Sequence, residues 1–201
     1  MKRCLAVLLC VMLICGVSFA EDAVSSATLA IDRLPQAEEA GGGTLVVFFS
    51  PDDTVRAAAY VIAAAVPADL FEIVPAEPYT ADDLNYSDHQ SRSMKEYQDP
   101  SARPAIAALP EDLGRYDTII LGYPIWYGQA PKIVRTFLES VDLSGKTIIP
   151  FCTSGASGIE KSVAELQTLT DDTVVWQEGT RLPKGSTAEE ISAWVKELKI
   201  R

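Results

Sequence analysis

The chain is poor in the residues that most often carry out chemistry on their own. It has one histidine, His89, and four cysteines, of which Cys4, Cys10 and Cys15 fall within the first twenty residues. Cys152 is the one thiol downstream, so residues 21–201 can form no internal disulfide and no cysteine metal cluster. His89 has no Ser or Cys motif beside it and reads as a surface residue, and Cys152, at the end of an apolar run, reads as a small buried hydrophobe. No nucleophile–base pair is legible, which argues against a hydrolase, and no metal-ligand spacing appears. Positive charge is short as well: 17 Lys and Arg stand against 28 Asp and Glu, for a net charge of −11. So acidic a surface argues against nucleic acid or an anionic membrane as partner.

What is present begins with a leader. Lys2 and Arg3 precede an apolar run from Leu5 to Val17, and Ser18-Phe19-Ala20 puts small residues at −3 and −1 of a cut before Glu21. Residues 1–20 therefore read as a secretory signal peptide and predict an exported protein, periplasmic or extracellular. The alternatives are a retained anchor and a lipoprotein cut before Cys15, where Ile14 occupies a position that wants a small residue. No twin-arginine pair is present, as expected of a chain exported unfolded. Loss of Lys2 and Arg3 with the leader moves the net charge from −11 to −13. Residues 21–43, polar, Ala-rich and ending in Gly41-Gly42-Gly43, read as a linker.

From Thr44 onward, strand and helix patterns alternate. Leu45-Val46-Val47-Phe48-Phe49 is a continuous apolar run, the composition of a strand covered on both faces. Ser50 to Thr54 turns into a helix from Val55 to about Val66, with Asp53 or Thr54 as its cap. Asp69 to Val74 makes a second strand. Pro75 to Arg115 is irregular, with a short helix expected over about 81–88 behind Thr80, and turns near Met94–Tyr97 and Pro104–Leu109. Thr118 to Leu121 is the central strand and Lys132 to Ser140 a helix. Lys146 to Phe151 is a fourth strand, followed by a helix at about 158–169. Thr173 to Trp176 is a short fifth strand, and Thr187 with Glu190 forms a capping box for a last helix to about Leu198. This alternation predicts a single α/β domain over 44–201, a doubly wound parallel sheet with helices on both faces.

Three loops lie where such a sheet binds its ligands, at the carboxyl ends of the strands. Ser50 to Thr54 feeds a helix N-terminus, a place suited to an anion or simply to a helix cap. Pro124 to Gly128 carries Trp126 and Tyr127, which suit a flat conjugated ring or else pack beneath the 75–115 segment. Thr153 to Gly158 is small and Gly/Ser-rich, so its N–H groups can approach a ligand closely, although glycine is also ordinary in a turn.

Together, LVVFFS (45–50), DLFEIVPAEPYTADDLNY (69–86), YDTIILGYPIWYGQAP (116–131) and GKTIIPFCTSGASGI (145–159) resemble the flavodoxin family. The bacterial branch with a Pro-Ile-Trp-Tyr/Trp-Gly loop is the nearest match, and the resemblance covers about residues 44–199. It implies a three-layer sandwich with a five-stranded sheet of order 2-1-3-4-5, noncovalent FMN, and electron transfer or quinone-type reduction. By resemblance Ser50 and Thr54 would hold the phosphate. Pro124, Ile125, Trp126, Tyr127 and Gly128 would flank the isoalloxazine, and Thr153, Ser154, Gly155, Ser157 and Gly158 would form its rim. The partner would be a redox protein or a small-molecule acceptor. One motif departs from the family. Its usual Ser-x-Thr-Gly-Asn-Thr loop is here the shorter Ser50-Pro51-Asp52-Asp53-Thr54, with two carboxylates where a phosphate would lie. The alternative reading is a flavodoxin fold that has lost FMN and serves as an exported binding module.

Overall fold

Strand and helix alternate through residues 43–198 and 200, the residues described in the computed structural model. The leader and residues 21–42 lie outside them. The elements are β1 (Gly43–Phe48), α1 (Thr54–Ala65), β2 (Ala68–Glu72), α2 (Arg92–Gln98), β3 (Tyr116–Pro124), α3 (Lys132–Ser140), β4 (Thr147–Ser154), α4 (Glu160–Gln167), β5 (Val175–Trp176), β6 (Thr180–Pro183) and α5 (Ala188–Glu197). The sheet runs β2-β1-β3-β4-β5, with β6 also paired to β4, and every pairing is parallel.

The continuous apolar runs are buried on both faces because successive side chains point to opposite sides of the sheet. Val46, Phe48, Ile120, Ile149 and Phe151 meet α1 through Val55, Ala59 and Ile62, and α5 through Ile191 and Val195. Leu45, Val47, Phe49, Ile119, Leu121 and Ile148 face the other way, onto Ile133, Val134 and Phe137 of α3 and Leu166 of α4. Each such side chain taken out of water contributes about 1.5–3 kcal/mol. The Thr187–Glu190 capping box is present on α5 in both directions.

Three elements differ from the sequence expectation. The fifth strand is split into β5 and β6, which occupy successive lengths of the free edge of β4. Val175 N donates to Lys146 O and Gln177 N to Ile148 O, so the even-numbered residues of β4 face that edge. Pro150, the next in line, has no N–H to give, and the ladder lapses there until Thr180 pairs with Phe151. Gly179 fills the gap, where a Cβ would lie 2.6 Å from both Pro150 Cγ and Pro150 O. The helix expected over 81–88 is a run of turns, since Asn85 and Asp88 each turn their side chains back onto the backbone two residues on, an arrangement that competes with helix. The helix in this segment starts later, at α2, where Ser91 Oγ accepts from Met94 N. Lastly, Asp53 occupies the N-cap of α1 but makes no side-chain cap bond and sits in the left-handed region at φ 64°.

Gly179→Ala should destabilise the fold by about 1–3 kcal/mol, because backbone as well as ring must move to admit the methyl group. Gly155→Ala, in open space, should cost far less. Urea unfolding of the two variants measures the difference.

Candidate functional site

Because the strands are parallel, the loops after β1, β3 and β4 emerge at one edge of the sheet, and the hydrogen bonds tie them into a single surface. Thr54 Oγ1 lies 3.4 Å from Thr153 Oγ1, joining the first loop to the third across the end of β3. Ile125 N donates to Thr153 O at 3.1 Å, joining the second to the third. Phe49 N donates to Gly122 O at 2.9 Å, joining the first strand's end to the central strand.

The first loop is committed to itself. Ser50 is buried, and its Oγ accepts the N–H of Arg56 at 2.9 Å beneath the first turn of α1. Thr54 Oγ1 donates to Asp52 Oδ1 at 2.7 Å, and Thr54 N points at the same oxygen at 3.4 Å. Asp53 pairs with Arg56, whose guanidinium also grips Glu72 with Nε at 3.1 Å from Oε2. Arg56, the cation in the first turn of α1, is therefore already paired twice. A phosphate brought to this loop meets the Asp52 carboxylate. Two like charges 4 Å apart cost about 1 kcal/mol in water and about 4 kcal/mol at an effective dielectric near 20.

The second loop is a two-residue reverse turn. Trp126 and Gln129 exchange both backbone hydrogen bonds at 2.9 Å, and Tyr127 and Gly128 between them have φ of 51° and 79°, as a type I′ turn requires. Gly128 accepts that conformation freely; Tyr127 is held in it by its surroundings. Its hydroxyl lies 3.2 Å from Ser93 Oγ, and its ring packs against Tyr97 at 4.9 Å and Tyr86 at 5.4 Å. The Trp126 indole is 3% exposed and edge-packed between Phe49 at 5.6 Å and Tyr79 at 5.3 Å. Behind the turn, a cavity of about 10 Å³ among Ser93, Tyr97, Trp126, Gln129 and Lys132 holds no more than a water. Pro124 is buried and Ile125 half-buried.

The third loop is open. Thr153 and Ser154 are half-buried, and Gly155 to Gly158, Ser157 included, are exposed. Arg181 Nη1 donates to Ser154 O at 3.3 Å, and Ala156 N to Ser154 Oγ at 3.3 Å. Beneath it Cys152 is buried, and that burial pushes its thiol up to about 12 despite nearby Arg181, so it carries no thiolate at neutral pH.

All twelve expected site residues lie along this one edge, with unequal access. The residues that sequence reasoning left without a place at the site are the tyrosines of the 75–115 segment, which crosses the second loop as a strap. The four-residue spacing of Arg92 and Glu96 suggests a structural pair on one helix face, and the two do pair. Tyr79 OH donates to Glu96 Oε2 at 2.7 Å, Arg92 Nε donates to Glu96 Oε1 at 2.7 Å, and the Arg92 guanidinium lies 4.0 Å from the Tyr79 ring centroid. Burial first and the Glu96 bond second push the Tyr79 hydroxyl well above the usual tyrosine range. Tyr86, though about half exposed at 52%, is pushed up to about 12 by partial desolvation and then by Asp52, which places that carboxylate's charge beside the strap. The available signal was compositional: Tyr79, Tyr86 and Tyr97 are large aromatics spaced through an otherwise polar stretch.

With this geometry in place the relationships are clear. The flavodoxin family model matches residues 43–198. The chain belongs to the flavodoxin family. Among solved structures, a candidate flavoprotein of Bacteroides uniformis is 44% identical, with a TM-score of 0.75, over 79% of this chain and 100% of its own. Another candidate flavoprotein, from Bacteroides eggerthii, is 42% identical, with a TM-score of 0.73, over 79% and 99%. A Lactobacillus acidophilus flavoprotein solved in complex with FMN shares the fold at 22% identity and a TM-score of 0.59, over 75% and 99%. No curated protein matches. The flavodoxin order 2-1-3-4-5 is the order observed here, with its last position filled by β5 and then β6.

Tyr79→Ala should open the Trp126 indole to water, giving red-shifted emission and stronger acrylamide quenching in a variant whose Trp176 and Trp194 are replaced by Phe. An unchanged quenching constant would mean that the strap does not cover the indole. Iodoacetamide at pH 7.5 should leave Cys152 unmodified in the folded protein and label it fully in denaturant, read by mass spectrometry of its peptide.

Proposed function

We propose that this flavodoxin-family protein binds a flavin at the carboxyl edge of its sheet and passes electrons between it and a partner protein or a small quinone-type acceptor. The observation that carries the reading is the convergence of the three loops through the Thr54–Thr153 and Ile125–Thr153 contacts. It brings hydroxyls, backbone groups and an aromatic turn to one place at the sheet's ligand-binding edge. A bound flavin would supply the one- and two-electron chemistry, and this chain's part is to hold, orient and shield it. The ring end fits: the half-buried Thr153 and Ser154 and the exposed Gly155–Gly158 offer backbone and hydroxyl groups beside the second loop, to which Thr153 O is joined by Ile125 N. The phosphate end does not fit FMN as well, for the reasons of charge given above. The leader-like pattern of residues 1–20 supports a site of action outside the cytoplasm, and the acidic composition favours a basic protein partner over nucleic acid or an anionic membrane.

One observation favours a second reading, that of an exported binding module without flavin. Trp126 is already covered by the chain's own Tyr79. Titration of the purified protein with riboflavin and with FMN, followed by flavin fluorescence and the visible spectrum, separates the two. Flavin binding predicts saturation at micromolar concentration or tighter, with a shifted spectrum. It also predicts a roughly fivefold loss of affinity in Thr153→Ala, the worth of about one hydrogen bond near 1 kcal/mol. No binding of either flavin at about 100 μM, equivalent to a free energy weaker than about −5.5 kcal/mol, would leave the binding-module reading.

A further inference from the structure

Resting on the flavin reading above, we infer that Asp52 makes this site select the unphosphorylated flavin, an uncharged isoalloxazine carrying a polyol chain, over its phosphate ester. The loop that a phosphate would need offers an acceptor in place of donors. Asp52 Oδ1 already accepts hydrogen bonds from the Thr54 hydroxyl at 2.7 Å and the Thr54 N–H at 3.4 Å, so the carboxylate of the chain itself lies on the groups that would otherwise cradle an oxyanion. Ser50 Oγ is turned under α1 onto Arg56 N, and Arg56 is held by Asp53 and Glu72. No side chain of the loop is left to neutralise a second negative charge.

A sugar-like hydroxyl meets the opposite conditions. It carries a proton to donate, as Thr54 does, and a carboxylate accepts it without repulsion. A phosphate monoester near pH 7 is largely dianionic and has no proton to give. Exchanging Gly and Asn for Asp52 and Asp53 therefore inverts the hydrogen-bond polarity of the loop, from donor to acceptor. The Thr54 and Thr153 hydroxyls, 3.4 Å apart with Thr54 also bonded to Asp52, complete a small polar rim that suits a neutral polyol tail. An extracellular protein would meet such a ligand without needing a cytoplasmic phosphorylated pool.

The test is a pair of titrations, riboflavin and FMN, on the full protein and on Asp52→Asn, which keeps the shape of the side chain and removes its charge. Asp52 is exposed, so the fold should survive the change, and circular dichroism of the variant checks it. Asp171→Asn, an exposed change elsewhere, is the control. The wild type should bind riboflavin at least tenfold more tightly than FMN. Raising the salt should narrow that ratio, and Asp52→Asn should collapse or reverse it while Asp171→Asn leaves it alone. FMN binding appearing in Asp52→Asn where the wild type shows none would support the inference equally. Tighter binding of FMN by the wild type, or a ratio unmoved in Asp52→Asn, would overturn it and leave the flavin reading standing. Failure of both flavins on both proteins would instead overturn the flavin reading, and this inference with it.

Discussion

Much of the molecule hangs on the burial of one indole. Trp126 opens a turn whose backbone closes through two successive left-handed residues, and its ring lies between Phe49 from the end of β1 and Tyr79 from the strap. Edge-to-face aromatic pairs of this kind contribute about 0.5–1.5 kcal/mol each beyond their burial. Through them, the central strand's exit, the first strand's exit and the 75–115 segment become one unit. The strap is then locked from outside by Arg92, Glu96 and Tyr79, and by the bidentate pairing of Arg103 with Glu139 on α3. An irregular segment of this length would otherwise have little to hold it.

The same arrangement sets the chemistry of the edge. Apolar and aromatic groups fill the middle of the site, while its two ends differ in polarity: an acidic, self-satisfied first loop and an open Gly/Ser-rich third loop. In a chain of net charge −11, an added anion at the first loop meets a cation, Arg56, that is already paired with Asp53 and Glu72. On the flavin reading proposed above, ligand choice would rest on which end of a ligand carries charge, more than on the area of ring the site covers.

The strands of the fold could be read from the sequence because their cause is local: uninterrupted β-branched and aromatic runs such as Leu45–Phe49 and Thr118–Leu121 have no place but a doubly covered sheet. The α5 capping box was equally legible, since Thr187 and Glu190 meet within one turn. What escaped depends on contacts between distant residues. The split of the fifth strand is caused by Pro150 on the neighbouring strand and is visible only once the register of β4 is known. The strap's tyrosines gain their role from the second loop, Tyr79 from Trp126 and Tyr86 and Tyr97 from Tyr127, partners far away along the chain. Asp52 was conspicuous as a departure, but whether it capped the helix, faced the solvent or took Thr54's proton was a question of side-chain direction that spacing alone does not answer.

The most direct test of the central claim, that three loops and a tyrosine strap make one flavin site, is a backbone amide chemical-shift map of the protein titrated with riboflavin. The account predicts shifts concentrated at residues 50–54, 124–129 and 153–158, extending to Tyr79 and Tyr86, with α5 and the β2 edge quiet. Shifts centred on α5, or scattered without the three loops, would contradict it.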